Sequence, residues 1–320
     1  MSITFGQSPE RWDTFVRRSP QRSAYVTSAF LRSLGLPFEL VTVEDGDQIV
    51  AGAPLILGED GRALPNAVPM TMYQGLLLGD HDRMARHRRI GYELEIVERL
   101  VAAIADRHDG CCLSQSWRFR DIRALSWHNY HAPERGQFTI SVLYTGILDL
   151  SAYATFDEYL ASVRELRRRE HRKAKPRVTI EPSRDLDLLE TLYTKTLQRQ
   201  GIERLAHDRD LLRRIAQGAL DGGYGDVRVA LVDGAPAAAT LFLYDDRTAF
   251  YLLGANDPEF RSTGASTFLM LENIRSAHDR GLREVDFIGV NSPQRGDYKV
   301  SFDAGVCPYY VARLRGPTRS

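Results

Sequence analysis

The sequence predicts an α/β (α+β) protein made of two tandem mixed domains, and three observations carry that prediction. Its 320 residues, 43% of them apolar, set a prior of one or two domains with enough material for a core. An Asp-Gly pair between apolar runs, the commonest short hairpin signal, stands at Asp45-Gly46 and again at Asp233-Gly234. After each pair the same order follows, a strand, a helix and a strand, which reads as an internal duplication.

In the second half, residues 227–244 (VRVALVDGAPAAATLFLY) read as two strands around the turn, and residues 248–254 (TAFYLLG) as a third. The loop NDPEFRSTGAS leads to a helix over 266–280, where Phe268, Leu271, Ile274 and Ala277 recur at helical spacing. Gly281 stands where a C-cap belongs, and residues 284–290 (EVDFIGV) form a short buried strand. The first half repeats this order. Residues 38–57 make the hairpin, residues 70–78 with Tyr73 and Gly75 the third strand, residues 86–107 a long helix, and residues 111–116 an apolar strand.

Between the halves, residues 137–150 read as strand. Thr155 and Glu158 then form a capping box for a helix with Phe156, Tyr159, Leu160, Val163 and Leu166 on its apolar face. This helix continues through RELRRREHRKAK and stops near Pro176. Its last turns carry Arg164, Arg167, Arg168, Arg169, Arg172, Lys173 and Lys175, with Arg177 just beyond, against Glu165 and Glu170. Cations suit the negative end of a helix dipole and a solvated face. The same density in an otherwise balanced chain equally fits a polyanionic ligand. Two further helices are predicted, over 186–200 and 207–220.

Composition narrows the function classes. Lys plus Arg and Asp plus Glu number 42 each, so the chain is formally neutral and does not bind nucleic acid or anionic membrane through global charge. Charged residues at 26% and aromatics at 9% are a globular composition, not a disordered one. Cys111, Cys112 and Cys307 form neither a C-x-x-C pair nor an even set, so no disulfide framework or zinc site is indicated. His128 and His131 match no ordinary metal spacing. The opening MSITFGQSPERW has no basic stretch followed by an apolar one, and no run of about 18 apolar residues occurs. A soluble cytoplasmic protein is therefore expected. Only four of the 42 basic residues are lysines, Lys173, Lys175, Lys195 and Lys299. Because Lys and Arg are not chemically interchangeable, each retained Lys invites a reason.

The segment that carries chemistry is the glycine-containing loop entering the helix over 266–280. Backbone N–H groups and a helix N-terminus face an anion in such an arrangement. Arg261-Ser262-Thr263-Gly264-Ala265-Ser266 resembles the R/Q-x-x-G-x-G/A pyrophosphate loop of the GNAT acyltransferase superfamily, with Ser266 at the last position. The basic helix, the strand FYLLG, the helix ending in DRG, the strand VDFIG and the segment YKVSF stand in the order found in the Fem-type (FemABX) and BioF2-like acyltransferases. The similarity covers about residues 156–314. After Phe302 the chain reads Asp303-Ala304-Gly305, where that family usually places a glycine directly.

The resemblance implies two tandem GNAT-like domains. Residues 1–150 would be the N-terminal domain on the acceptor side, and residues 151–320 the C-terminal domain with the donor site. It implies N-acyl transfer with no tightly bound cofactor and no metal. The co-substrate is aminoacyl-tRNA or acyl-CoA, aminoacyl-tRNA being preferred, and the acceptor is an amine of a peptide natural product or a cell-wall precursor. A non-catalytic nucleotide- or RNA-binding module is the alternative from another class. Either donor must be held with its carbonyl beside a neutral amine while the oxyanion is stabilised, and no covalent nucleophile is needed. The chain accordingly has no G-x-S-x-G elbow.

Lys299 matches the lysine of the family's FK-x-x-F segment and is the first catalytic candidate. Asp286 is the second, either accepting the amine proton or ordering its loop. Tyr251 is a hydroxyl donor near the leaving group. Arg261, Gly264, Ala265, Ser266, Tyr298, Arg164, Arg168 and Arg199 are the donor-binding candidates, and Tyr73, Trp127 and His128 the acceptor-binding ones.

Overall fold

The computed structural model describes residues 1–202 and 206–315. The chain forms two compact units, residues 1–143 with 308–320, and residues 144–307. The division differs from a single cut after residue 150, because the C-terminal strand returns to the first unit.

The first unit begins with β1 (Ser2–Phe5), α1 (Pro9–Arg18) and α2 (Ser28–Ser33). Ser8 caps α1 by accepting from the Arg11 N–H, and Pro9 occupies the first turn, where its missing donor costs nothing. Next come β2 (Phe38–Asp45), β3 (Gln48–Ile56) and β4 (Leu77–Leu78). They form an antiparallel sheet in the order β1-β2-β3-β4. The Asp45-Gly46 hairpin closes as predicted, with Asp45 opposite Gln48.

Helix α3 (Arg86–Arg107) places Ile96, Val97, Leu100, Val101 and Ile104 on one face, buried with Val41, Val43 and Ala51 of the hairpin. β5 (Gly110–Ser114), α4 (Arg123–Trp127) and β6 (Phe138–Asp149) follow, and the chain leaves the unit within β6. The third strand predicted over 70–78 shrinks to two residues. Met70 and Tyr73 have φ of 60° and 56°, a backbone region that ladder pairing cannot use.

The second unit contains α5 (Phe156–Ser162), α6 (Glu165–Ala174), β7 (Val178–Ser183), α7 (Leu186–Arg199) and α8 (Ala206–Gly222). It continues with β8 (Gly225–Val232), β9 (Ala235–Tyr244), β10 (Thr248–Asn256), α9 (Ala265–Asp279), β11 (Glu284–Asp286) and α10 (Pro293–Val300). Its strands lie in the order β6-β11-β10-β9-β8-β7. All neighbours are antiparallel except β10 and β11, which run parallel and are joined through α9.

The long basic helix expected from residue 155 is two helices. Val163 and Arg164 are extended, and the Arg164 N–H donates to the Ser301 carbonyl at 3.2 Å instead of continuing a helical ladder. Final strand β12 (Gly305–Arg315) carries the chain back, pairing Val311–Arg315 with β5 and burying Ala312 and Leu314 in the first unit's core. Among the described residues no helix is long and apolar enough to cross a membrane.

Candidate active site

The site is built where β10 and β11 part. They pair at Thr248–Glu284, Ala249–Val285 and Phe250–Asp286, and there β11 ends while β10 runs on to Asn256. Between Tyr251 and Leu253 the register of β10 against β9 slips by a bulge, which turns the strand at that point. On the other side the chain leaves β11 through Ile288 and Gly289, both with positive φ (48° and 36°). A β-branched residue rarely adopts this conformation, and such strain persists only where the surroundings impose it. The predicted strand over 284–290 therefore keeps a regular ladder only to Asp286, with the Phe287 and Val290 N–H groups still donating to the Gly146 and Tyr144 carbonyls at 2.9 Å.

Those left-handed residues have a visible consequence. Lys299, in the last turn of α10, donates its ammonium protons to the carbonyls of Ile288 and Gly289, the latter at 3.0 Å. Its nitrogen lies 5.6 Å from the centroid of the Tyr251 ring. Burial lowers the Lys299 pKa to about 8, opposed by the negative charge of Asp286.

Asp286 is fully buried. Its Oδ1 accepts from the Thr145 hydroxyl at 2.5 Å and from the Ile288 N–H at 2.8 Å, so this carboxylate orders the turn that presents the two carbonyls. Tyr251 packs against Phe242 and Phe287. A Cβ on Gly254 would lie 1.7 Å from the Tyr251 hydroxyl, which accounts for the glycine of FYLLG. Burial raises the Tyr251 pKa, so the phenol stays protonated.

Beyond the end of β10, Gly264 opens α9 with φ of 81°. A Cβ there would stand 2.8 Å from the Glu170 carbonyl, so both the left-handed turn and the approach of α6 require glycine. Ala265 and Ser266 stand in the first turn of α9, where helix N–H groups favour an anion, although the Ala265 N–H already donates to the Thr263 hydroxyl at 3.3 Å. Lys173 of α6 donates to the Ser262 carbonyl at 2.8 Å, tying the basic helix to this loop.

Arg261 and Arg199 are exposed and make no hydrogen bond or ion pair among the described residues. Arg164 instead pairs with Asp297 at 2.8 Å, and Arg168 with Glu165 at 2.6 Å. Much of the positive charge read in α6 is thus met within the unit.

Two residues outside the predicted set hold the site together. Arg167 donates to Ser301 Oγ at 2.8 Å and to Glu170 Oε2 at 2.7 Å, and its guanidinium lies 4.7 Å from the centroid of the Tyr298 ring. Glu170 Oε2 also accepts from Thr267 at 2.6 Å, and the Tyr298 hydroxyl donates to the Ser266 carbonyl at 3.3 Å. One guanidinium thereby joins α6, α9 and α10. Lys195 pairs with Asp257 at 2.5 Å, and Asp257 caps the 3-10 turn that begins the loop by accepting from Glu259 N–H. Its signal in the sequence was the scarcity of lysine.

The glycine missing after Phe302 is also explained. Asp303 takes φ of 66°, and its carboxylate accepts from the Tyr153 hydroxyl. Asp tolerates the left-handed region better than most residues, so the turn survives without glycine.

The three acceptor candidates of the first unit are not brought together as a cleft wall. Tyr73 is 2% exposed, packed edge-on against Tyr25 and Tyr309. Trp127 is 48% exposed at the end of α4, and His128 packs on Phe138.

Comparisons with known proteins bear on the fold that carries these residues. Residues 159–300 match the family model described as an acetyltransferase (GNAT) domain. Among solved structures the chain is similar to FemX, with a TM-score of 0.71, 12% identity and 97% of each chain covered. It is similar to a tandem GNAT protein from the clavulanic acid biosynthesis pathway, with a TM-score of 0.55, 12% identity and 100% of each chain covered. L-PGS from Bacillus licheniformis gives a TM-score of 0.54 at 14% identity, over 98% of this chain and 93% of that one. At such identities the likeness is one of fold. No curated protein matches the sequence.

Proposed function

We propose that this chain, an acyltransferase with a GNAT domain over residues 159–300 in a Fem-type tandem fold, forms an amide bond by aminoacyl transfer from aminoacyl-tRNA. The acceptor is an amine of a peptide natural product or a cell-wall precursor. The observation that carries this reading is the Lys299 ammonium, seated at the parting of β10 and β11 on two backbone carbonyls.

In the reaction the amine lone pair attacks the donor carbonyl carbon, a C–N bond forms, and the carbonyl π electrons move to oxygen. Collapse of that oxyanion breaks the ester C–O bond, and the proton given up by the amine passes to the departing oxygen, which leaves as the tRNA hydroxyl. Lys299 is a compact donor for the developing oxyanion or for the donor's terminal phosphate. Tyr251, kept protonated by burial, supplies a hydroxyl at the leaving group. Asp286 acts through the turn it orders. Arg261 and Arg199, both exposed, supply positive charge for the donor phosphates.

A second reading takes acyl-CoA as the donor, and the Gly264 turn with the α9 N-terminus favours it, because that feature suits a pyrophosphate. In that case the bond broken is C–S. Offering charged tRNA and acyl-CoA in parallel with a panel of amines decides between them. Transfer from charged tRNA is expected; transfer from acyl-CoA alone overturns the donor assigned here. Absence of transfer from either, with RNA binding retained, supports a binding module.

A further inference from the structure

We infer that Arg167 is a positioning residue for Lys299, its guanidinium fixing the last turn of α10 in the register that seats the ammonium on the Ile288 and Gly289 carbonyls. Its Nε donates to Ser301 Oγ at 2.8 Å, and its guanidinium carbon lies 4.7 Å from the centroid of the Tyr298 ring. One side chain thus holds residues on both sides of Lys299. Ser301 is 2% exposed and gives its own hydroxyl proton to the Tyr298 carbonyl at 2.5 Å, so the turn is closed on itself and on α6.

A helix turns by about 100° per residue, so a small rotation of this turn swings the ammonium off its two carbonyls. Gly296 settles the rest of α10, since a Cβ there would stand 2.8 Å from the Val290 carbonyl. The far side of the guanidinium fixes α10 against the entrance of α9. Arg167 Nη1 donates to Glu170 Oε2 at 2.7 Å, the same oxygen accepts from Thr267 at 2.6 Å, and Gly264 lies against the Glu170 carbonyl.

A desolvated guanidinium is costly, and apolar side chains would hold three helices together at least as well. What they lack is direction, and an ammonium aimed at a reacting carbonyl requires direction. The Arg167 side chain is only 12% exposed. The other ion pairs near the start of α6, Arg164–Asp297 and Arg172–Glu165, lie in water, where such pairs contribute little.

For its effect on rate this inference rests on the transfer reading; its effect on Lys299 itself is measured separately. The full chain labelled with [13C]lysine gives four side-chain signals, and the one lost in Lys299→Arg belongs to Lys299. In the native protein that signal titrates near pH 8. Asp286 from β11, Arg295 from α10 and the Tyr251 phenol from β10 are the charged and titratable groups facing it, and none is altered in the variants below.

In Arg167→Gln the loosened turn admits water and the midpoint moves up toward the ordinary lysine value. Arg167→Lys keeps a charge beside Glu170 without the fork that reaches Ser301 as well, so the midpoint rises there too. Turnover with charged tRNA falls about tenfold to a hundredfold in both. Ser301→Ala removes one anchor alone and shifts the midpoint the same way, which keeps the test decisive should Arg167→Gln fail to fold.

A midpoint unmoved in all three variants, or fully restored by Arg167→Lys, overturns the role given to Arg167. If charged tRNA is the donor and the midpoint is unmoved, the positioning falls and the donor reading stands. If the midpoint moves and charged tRNA gives no transfer, the reverse holds.

Discussion

The two units contain the same succession of hairpin, strand, helix and strand, yet they treat the gap after the third strand in opposite ways. In the second unit β10 and β11 diverge beyond Phe250 and Asp286, and a lysine, a strained turn and a glycine-led helix surround the opening. In the first unit the corresponding segments are bridged by hydrogen bonds instead. Gln115 sends its Oε1 to the Leu76 N–H at 2.9 Å, and the Ser114 N–H meets the Gln74 carbonyl at 3.2 Å. A Cβ on Gly75 would lie 2.6 Å from both the Gln115 Oε1 and the Ser114 carbonyl, so that glycine exists to admit the plug.

The helices differ in the same sense. α9 starts at a left-handed Gly264, whereas α3 starts at Ala85 with φ of −57° and no turn for an anion. One succession of elements thus supports strands tied together by a glutamine amide in one place and strands that diverge around a lysine in the other. The difference lies in a handful of residues that no periodicity marks.

The largest expected effect separates the notches by chemistry. Lys299→Ala should lower the turnover of the transfer reaction by about 10²–10³-fold, the usual cost of one oxyanion donor, with donor binding retained; unchanged turnover would remove Lys299 from the mechanism. The pH dependence follows from its lowered pKa of about 8. The ammonium is the protonated form, so activity should fall as pH rises through that value, where an ordinary lysine keeps its proton. Lys299→Arg should retain partial activity without that alkaline limb.

Folding has the opposite sign. The unfolded chain holds this proton more tightly than the folded one, so the contribution to stability rises between pH about 8 and the unfolded lysine value near 10.4. Equilibrium unfolding at several pH values, native against Lys299→Met, measures this difference.

Next in size is Gly264→Ala. The left-handed φ and the 2.8 Å approach to the Glu170 carbonyl should cost about 1–3 kcal/mol and weaken the donor's Kd. Ala85→Gly at the matching helix entrance of α3 should cost less than about 1 kcal/mol and leave the Kd unchanged. Equal effects at the two entrances would remove the contrast between them.

An effect of similar size on stability alone probes the Gln115 contact. Gln115→Ala strands the Leu76 N–H and should destabilise the chain by about 1–3 kcal/mol, read as a lower unfolding midpoint with donor affinity intact. Gained donor binding in this variant would mean that the first notch is blocked by this side chain alone. The smallest effect is at Asp303→Gly, where relief of the left-handed backbone is offset by loss of the Tyr153 hydrogen bond. The net change should stay within about 1 kcal/mol by thermal unfolding.

Much of the fold was legible in the sequence because its signals are local. Both Asp-Gly hairpins, α3 over Arg86–Arg107 and α9 to within a residue of its predicted ends follow from turn chemistry and 3.6-residue spacing. Residues Lys299, Asp286, Tyr251 and Gly264 were marked by motif order; the structure places the first three where β10 and β11 separate and Gly264 at the entrance of α9 against α6. Arg167 was only one arginine in a basic run. What sets it apart is that its guanidinium reaches Ser301, 134 residues away in sequence. The sequence assigns the segment of Lys299 no element, and in the structure it is a helix with Pro293 in its first turn.

By itself, then, the sequence determined the duplicated order of elements and the residue types available for acyl transfer, because hydrophobic period, turn residues and glycine placement act over a few positions. Only the tertiary structure decided which duplicate holds a lysine where its strands part. That choice rests on the slip at Tyr251, the carbonyls of Ile288 and Gly289 turned toward an ammonium, and the Gln115 amide closing the other gap. Each is a contact between segments distant along the chain, set by packing and hydrogen-bond satisfaction, for which no local pattern exists.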